Sequence, residues 1–360
     1  MFKITKLTQK IWLINNVLHD HDRKSIPKIL IEMIIIGFRD RCFPNHYLSR
    51  FLYKKDQKNY LNYLPNKFIY NIKSNFNDRA VADVMENKLF FNYFYSQFNI
   101  CMPKTIMFNH SKMFCYRDKH QEINNVADFK SLLINVIQCN TSDNTLFIKK
   151  TYGSYGGEKI FKITLEQIEQ QPLTIDNLFQ EVIQSGFIYQ ENVIQHPDIN
   201  MLNPSCLNTI RLDTFIDNSG HIDVISGFMR MSIENSHVDN VGAGGCFVGL
   251  NLKTGLLKKF GYMPFKQHGG NFLTEHPVTK TIFEHFKIPY VEEAKNLVIR
   301  TASLMPGLRL VGWDVGITPQ GPILIEGNSD YNLTGGDLTD GGYMANNIFR
   351  KALKEINYIN

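Results

Sequence analysis

Gly312-Trp313-Asp314-Val315-Gly316-Ile317-Thr318-Pro319-Gln320-Gly321-Pro322-Ile323-Leu324-Ile325-Glu326-Gly327-Asn328 reads as a β-hairpin, two β-rich runs around a Pro-Gln-Gly turn. A three-residue loop with glycine in the left-handed position predicts Thr318 opposite Pro322. Asp314 then stands opposite Glu326, with Asn328 on the same face because side chains alternate along a strand. Trp313, Val315, Ile317, Ile323 and Ile325 fall on the other face. A two-residue turn would shift the register and separate the acids. Like charges directly opposed destabilise a sheet, so the arrangement makes sense with a cation between them. Two acids and an amide offer only oxygen ligands, which suits magnesium or manganese, ions that complete their shells with water and substrate phosphates. That predicts a nucleotide. A solvent-facing hairpin with solubilising acids is the plain alternative, and the wholly apolar second face weighs against it. Asp314→Asn and Glu326→Gln are expected to remove metal-dependent turnover and leave the fold intact.

Upstream, Leu146-Phe147-Ile148-Lys149-Lys150 reads as a strand, followed by the loop Thr151-Tyr152-Gly153-Ser154-Tyr155-Gly156-Gly157-Glu158-Lys159 and a further apolar run from Ile160. A strand ending in lysine beside a glycine loop can hold polyphosphate through an ammonium and backbone N–H groups. The Gly-Lys-Ser/Thr ending of a P-loop is missing, and this loop leads to a strand instead of a helix. Alternation sends Lys149 and Lys150 to opposite faces, with Lys149 the phosphate ligand if the loop register is normal. Between Asp78 and Gln97 a single helix is expected, with Val81, Val84, Met85 and Leu89 on one stripe. Lys88 falls in that stripe, where it either snorkels to water or faces an anion-holding cleft.

The remaining composition sets bounds. The chain has 360 residues, 43% hydrophobic and 20% charged, and a net charge of +5, which fits folded lobes with an anionic small substrate or work at a membrane surface and is too weak to argue for nucleic acid. The longest apolar run, Ile29 to Phe38, is interrupted by Glu32 and falls short of the roughly 20 residues that cross a bilayer. It reads as a buried helix. No leader pattern opens the chain, which places the protein in the cytoplasm. The six scattered cysteines read as reduced, mostly core thiols. The fold class is α+β, with a helical N-terminal lobe over 1–76, a lobe carrying the lysine strand over 77–190, and a lobe carrying the hairpin over 191–360. His196 and His268 stand singly and read as structural or peripheral.

Taken in order, these stretches resemble the ATP-grasp superfamily, and within it the sugar-transfer-associated branch found with capsule and lipopolysaccharide genes. The matching residues are Glu86-Asn87-Lys88; Phe147-Ile148-Lys149 with its glycine loop; Tyr189-Gln190-Glu191-Asn192-Val193-Ile194-Gln195-His196-Pro197; Asn208-Thr209-Ile210-Arg211; Arg230 with Asp239-Asn240 and Gly244-Gly245; and Gly312-Trp313-Asp314 to Glu326-Gly327-Asn328. The resemblance implies ATP clasped between two α+β lobes, with Lys88 and Lys149 on its phosphates. Gly153, Ser154, Gly156 and Gly157 would form the lid, and Gln190, Glu191 and Val193 belong to the adenine hinge. Asp314, Glu326 and Asn328 would hold magnesium, and Arg211 and Arg230 would lie toward the γ-phosphate or an acceptor carboxylate. Whether the two arginines share a strand face depends on the loop at Asn218-Ser219-Gly220. Relatives often carry proline after the lysine, where this chain has Lys150-Thr151.

The implied chemistry is a ligase that joins an amine or thiol to a carboxylate through an acyl phosphate, acting on a sugar or polysaccharide precursor of the cell surface, in the cytoplasm or at the inner face of the membrane, beside other glycan-assembly enzymes. A kinase transferring the γ-phosphate to a sugar hydroxyl, with Asp239 or another acid as base, and a non-catalytic nucleotide-binding scaffold are the alternatives. No side-chain nucleophile is required in any of them.

Overall fold

The structure, a computed structural model, describes residues 6–154, 158–233, 245–263 and 271–359. Two antiparallel sheets organise the chain. The first contains β1 (Thr105–His110), β2 (Met113–Tyr116), β3 (Lys119–Glu122), β4 (Thr145–Lys150), β5 (Ile160–Thr164) and β6 (Gly186–Glu191), in the order β3-β2-β1-β6-β4-β5. The second contains β7 (Thr209–Ile216), β8 (Ile222–Ser232), β9 (Gly245–Asn251), β10 (Leu256–Met263), β11 (Asn271–Leu273), β12 (Leu310–Thr318) and β13 (Gly321–Asn328), in the order β11-β10-β9-β8-β7-β12-β13.

Each sheet buries one face under helices of matching period. Helix Val126–Asn140, N-capped by the Asn125 side chain, turns Phe129, Leu132, Leu133, Val136 and Ile137 onto the first sheet, the three- and four-residue spacing of one helical stripe. Leu146 and Ile148 meet that stripe from β4, so Phe147 and Lys149 point the other way. Helix Val291–Ser303 does the same for the second sheet with Val291, Ala294, Val298 and Ala302, and it carries Glu292 and Glu293 in its first turn and Arg300 in its last, matching the helix dipole.

The hairpin β12–β13 departs from its expected register and still arrives at the expected pair. Thr318 pairs with Gly321, not Pro322, so the turn is the two-residue type that should have parted the acids. One extra residue then offsets the shift. Asp314 pairs with Glu326 and Val315 with Leu324, leaving Ile325 as a bulge. The core face changes accordingly. Leu324 joins Trp313, Val315 and Ile317 inside, while Ile325 lines the cleft and Ile323 packs over Gly316 on the same side as Asp314. Trp313 is fully buried and donates its indole N–H to Thr214 Oγ1 at 2.8 Å.

Three further expectations are corrected. The single helix over 78–97 is two, Arg79–Glu86 and Lys88–Ser96, broken at Asn87, whose side chain accepts the amides of Leu89 and Phe90. Asparagine caps a helix start more readily than it continues a helix. The stripe is lost with it: Val84 is exposed, and Met85, Phe91 and Tyr95 take the buried positions. Of the cysteines, only Cys206 and Cys246 are buried, Cys101 and Cys139 are exposed, and all six are free. Lastly, helix Ile26–Asp40 is not a buried helix. Ile29, Glu32 and Ile36 face inward, while Leu30, Ile31, Ile34, Ile35 and Phe38 face out.

The N-terminal helices pack on the second sheet: Val17, Ile29, Tyr47, Phe51 and Tyr63 share a core with Phe228 and Phe247. The buried ion pair Arg50–Asp337 and the pair of buried Lys73 with exposed Asp330 fasten them to the segment after β13. Among the described residues no helix is long and apolar enough to cross a membrane.

Candidate functional site

A cleft opens between the two sheets. Phe147, Lys149, Ile160, Ile188 and Gln190 line it from the first sheet, Arg211, Arg230, Asp314 and Glu326 from the second, and Met85, Lys88 and Phe91 from the helix pair broken at Asn87. The break matters because it sets Lys88 at the first turn of its helix, where its backbone N–H donates to Thr151 O (2.8 Å) and its Nζ stands 3.8 Å from Glu326 Oε2.

Lys149 faces the cleft, whereas Lys150 shares its strand face with the core residues Leu146 and Ile148. Burial lowers the Lys149 ammonium to about 8, with Glu326 pulling it up and Lys88 pushing it further down. Ser154 lines the cleft, and its Oγ donates to Lys150 O. Gly153 sits at φ +69 with open space where a side chain would begin, a conformation suited to glycine. Gly156 and Gly157 lie outside the described residues, as do Asp239, Asn240, Gly244 and His268.

At the end of β6, Gln190 is buried and donates to Pro103 O and Thr105 Oγ1, and Glu191 accepts the Lys104 N–H at 2.9 Å. Both line the cleft with Val193, which continues from them. Leu207, Ile188 and Ile325 add apolar walls there, and a slot with apolar sides and a polar end is the usual form of a small-molecule site. His196 stands beyond this stretch and accepts the Asp198 N–H at 3.1 Å.

The hairpin acids meet two arginines. Asp314 is 1% exposed and takes Arg211 as a fork, Nε to Oδ1 at 2.6 Å and Nη2 to Oδ2 at 3.2 Å, while Arg230 Nη2 lies 2.8 Å from Oδ2. The register places Arg211 across from Asp314 and Thr209 across from Arg230, so both arginines lie on one face. Burial works against the Asp314 charge, but Arg211 and Arg230 outweigh it and hold the carboxyl below its ordinary value. The same pairing holds Arg211 protonated against its own burial. Glu326 is less engaged. Asn328 Nδ2 reaches Asp314 Oδ2 and Glu326 Oε1, each at 3.4 Å, so the three side chains converge. Among the described residues no group of three or more His, Cys, Asp and Glu side chains forms a metal cage. With two acids and an amide, an ion here must draw other ligands from substrate or water.

Two residues have roles that the sequence does not assign: Glu86, which stands there only as part of the motif with Lys88, and Tyr331. Glu86 ends its helix in the cleft wall and accepts the Ser329 N–H, the Ser329 hydroxyl and the Asp330 N–H, tying the helix break to the residues after Asn328. The Tyr331 ring lies 5.3 Å from the Arg211 guanidinium and holds its far side.

The family model described as sugar-transfer associated ATP-grasp matches residues 68–350. The chain belongs to that family. No curated protein matches it. Among solved structures, this ATP-grasp chain is similar to the D-alanyl-alanine synthetase A of Vibrio cholerae at 11% identity and TM-score 0.45, over 77% of this chain and 66% of that one. It is similar to the D-alanine–D-alanine ligase of Bacillus anthracis at 9% identity and TM-score 0.43, over 78% and 72%. An N5-carboxyaminoimidazole ribonucleotide synthetase in complex with ADP follows at 10% identity and TM-score 0.40, over 69% of this chain and 45% of that one. The ATP-grasp chain thus spans less than half the length of that synthetase.

Proposed function

We propose that the protein is an ATP- and magnesium-dependent ligase that activates a carboxylate on a sugar or sugar-linked precursor of cell-surface glycan and joins it to an amine. One observation carries this reading: Lys88, Lys149, Arg211, Arg230 and the acids of the hairpin converge in a single cleft of a sugar-transfer associated ATP-grasp protein.

A carboxylate resists attack by an amine because charge must build on an anion and oxide must leave. Transfer of the γ-phosphoryl group to that carboxylate gives an acyl phosphate whose leaving group is phosphate. In this reading the chain positions and neutralises. Gln190 to Val193 and the apolar walls receive adenine, and Lys88 and Lys149 receive the phosphates, with Gly153 and Ser154 at the base of the lid. Arg211 keeps N–H donors beyond its fork on Asp314, and with Arg230 it would orient the acceptor carboxylate. The hard oxygen donors of Asp314, Glu326 and Asn328 fit magnesium once the Asn328 amide turns its oxygen inward. Because Asp314 already serves two arginines, Glu326 is the principal ligand. Magnesium held there would neutralise phosphate charge during transfer.

Incubation with ATP, magnesium and paired uronates and amines should release ADP and phosphate and form an amide. ADP with a phosphorylated sugar would instead mark a kinase, and ATP binding without turnover across the panel would mark a scaffold. Glu326→Gln is expected to lower turnover by roughly a hundredfold or more, as loss of charge stabilisation in a transition state does, while the melting temperature holds.

A further inference from the structure

Helix Ile26–Asp40 is built inside out. Its acid, Glu32, is buried and accepts Lys24 Nζ at 2.7 Å and the Tyr47 hydroxyl, while its large apolar side chains face solvent. At 100° per residue, Gly37, Leu30, Ile34, Pro27, Phe38, Ile31 and Ile35 fill an uninterrupted arc of about 160°. Phe38 is 82% exposed, and Leu30, Ile31 and Ile34 are each more than half exposed. The preceding helix, Lys6–His19, repeats the pattern with Ile11, Ile14 and Leu18 exposed and Val17 buried. A contiguous apolar face on one helix is far more than the scattered exposed residues of an ordinary surface, and it marks an interaction site.

Charge selects the occupant. Residues 1–76 hold 14 lysines and arginines against five acids, so this segment carries +9 while the rest of the chain carries −4. Exposed Lys28 and Arg41 belong to the same helix and its end, with Lys28 at the edge of the apolar arc. A two-fold dimer through this face would bring the basic lobe against its own copy and set like charges together. An anionic lipid surface meets both properties, receiving apolar side chains below its headgroups and cations among them. The helix has 15 residues, too few to span a bilayer, so contact with one would run along its length.

We infer that helix Ile26–Asp40 docks the protein on the surface of an anionic phospholipid bilayer, with Ile31, Ile34 and Phe38 inserted and Lys28 and Arg41 at the headgroups. This anchoring is independent of the reaction proposed for the cleft. It is tested by co-sedimentation of the purified full chain with vesicles of phosphatidylcholine and phosphatidylglycerol, and with phosphatidylcholine alone. The chain should pellet with the anionic vesicles and bind neutral ones roughly tenfold less well, given the contribution of each basic residue near such a surface. Ile31→Ser/Ile34→Ser/Phe38→Ser should weaken binding by roughly a hundredfold, because three apolar side chains lose their burial. Phe38→Ser alone should weaken it by roughly tenfold, and circular dichroism of both variants should match the parent. Lys28→Glu/Arg41→Glu should abolish the preference for anionic vesicles. A parent chain that stays in the supernatant with both vesicle types would overturn the inference. So would a triple variant that pellets like the parent, or a parent dimer that the triple substitution splits into monomers.

Discussion

The hairpin β12–β13 and helix Ile26–Asp40 are composed of the same aliphatic residues and end with opposite exposures. In the hairpin, Trp313, Val315, Ile317 and Leu324 are fully buried; in the helix, five large apolar side chains stand outside and a glutamate lies inside. The difference lies in what each faces. The hairpin is the edge of a sheet whose inner face is covered by a helix of complementary period, whereas the N-terminal helix has one side on the second sheet and its other side uncovered by the described chain. Apolar character selects the residues that leave water when a partner is offered, and it does not supply the partner.

The contrast is sharpest in stability. Trp313→Ala should remove about 3–5 kcal/mol, since it empties a fully enclosed position and strands Thr214. A thermal or urea melt measures it. Asp314→Ala should cost about 3 kcal/mol, because it removes the buried carboxylate that both Arg211 and Arg230 engage. The expectation that Asp314→Asn and Glu326→Gln leave the fold intact is therefore safer at Glu326, whose side chain is 34% exposed, than at buried Asp314. Asp314→Asn, which keeps one oxygen for Arg211, should fall between the two.

Lys149 gives a pH signature of smaller size. Its ammonium is lowered to about 8, so kcat/KM for ATP should decline as pH rises through that value, and the decline should vanish in Lys149→Met. Stability runs the other way. The unfolded chain keeps this proton up to the ordinary lysine value of 10.5, so between about 8 and 10.5 loss of the proton favours the folded state. A melt of the parent against Lys149→Met across that window reads the difference. Least of all, Phe38→Ser should shift stability by no more than about 0.5 kcal/mol, because the side chain is 82% exposed among the described residues. A large loss there would mean that the helix is covered after all.

Much of the second sheet could be read from the chain, but not through the geometry invoked. The pairing of Asp314 with Glu326 follows from alternation only if the turn has three residues; the turn has two, and the bulge at Ile325 restores the pair. Bulges follow from strand twist and local packing, which a period-two pattern does not contain. Lys149 and its strand were legible because Leu146 and Ile148 alternate with it. Asn87 was legible in principle as a cap, but the apolar spacing around it favoured a continuous helix. The roles of Glu86 and Tyr331 were not, since each acts through residues more than a hundred positions away along the chain. The strands β1 to β3 also went unread, and β3 is exposed throughout, with no apolar alternation to reveal it.

Calorimetric titration of a non-hydrolysable ATP analogue asks whether the cleft holds ATP with magnesium on the hairpin acids. Binding should require magnesium and fall at least about a hundredfold in Glu326→Gln, with an unchanged melting temperature. Equal affinity with and without the metal, or a Glu326→Gln variant that binds as the parent does, would contradict it.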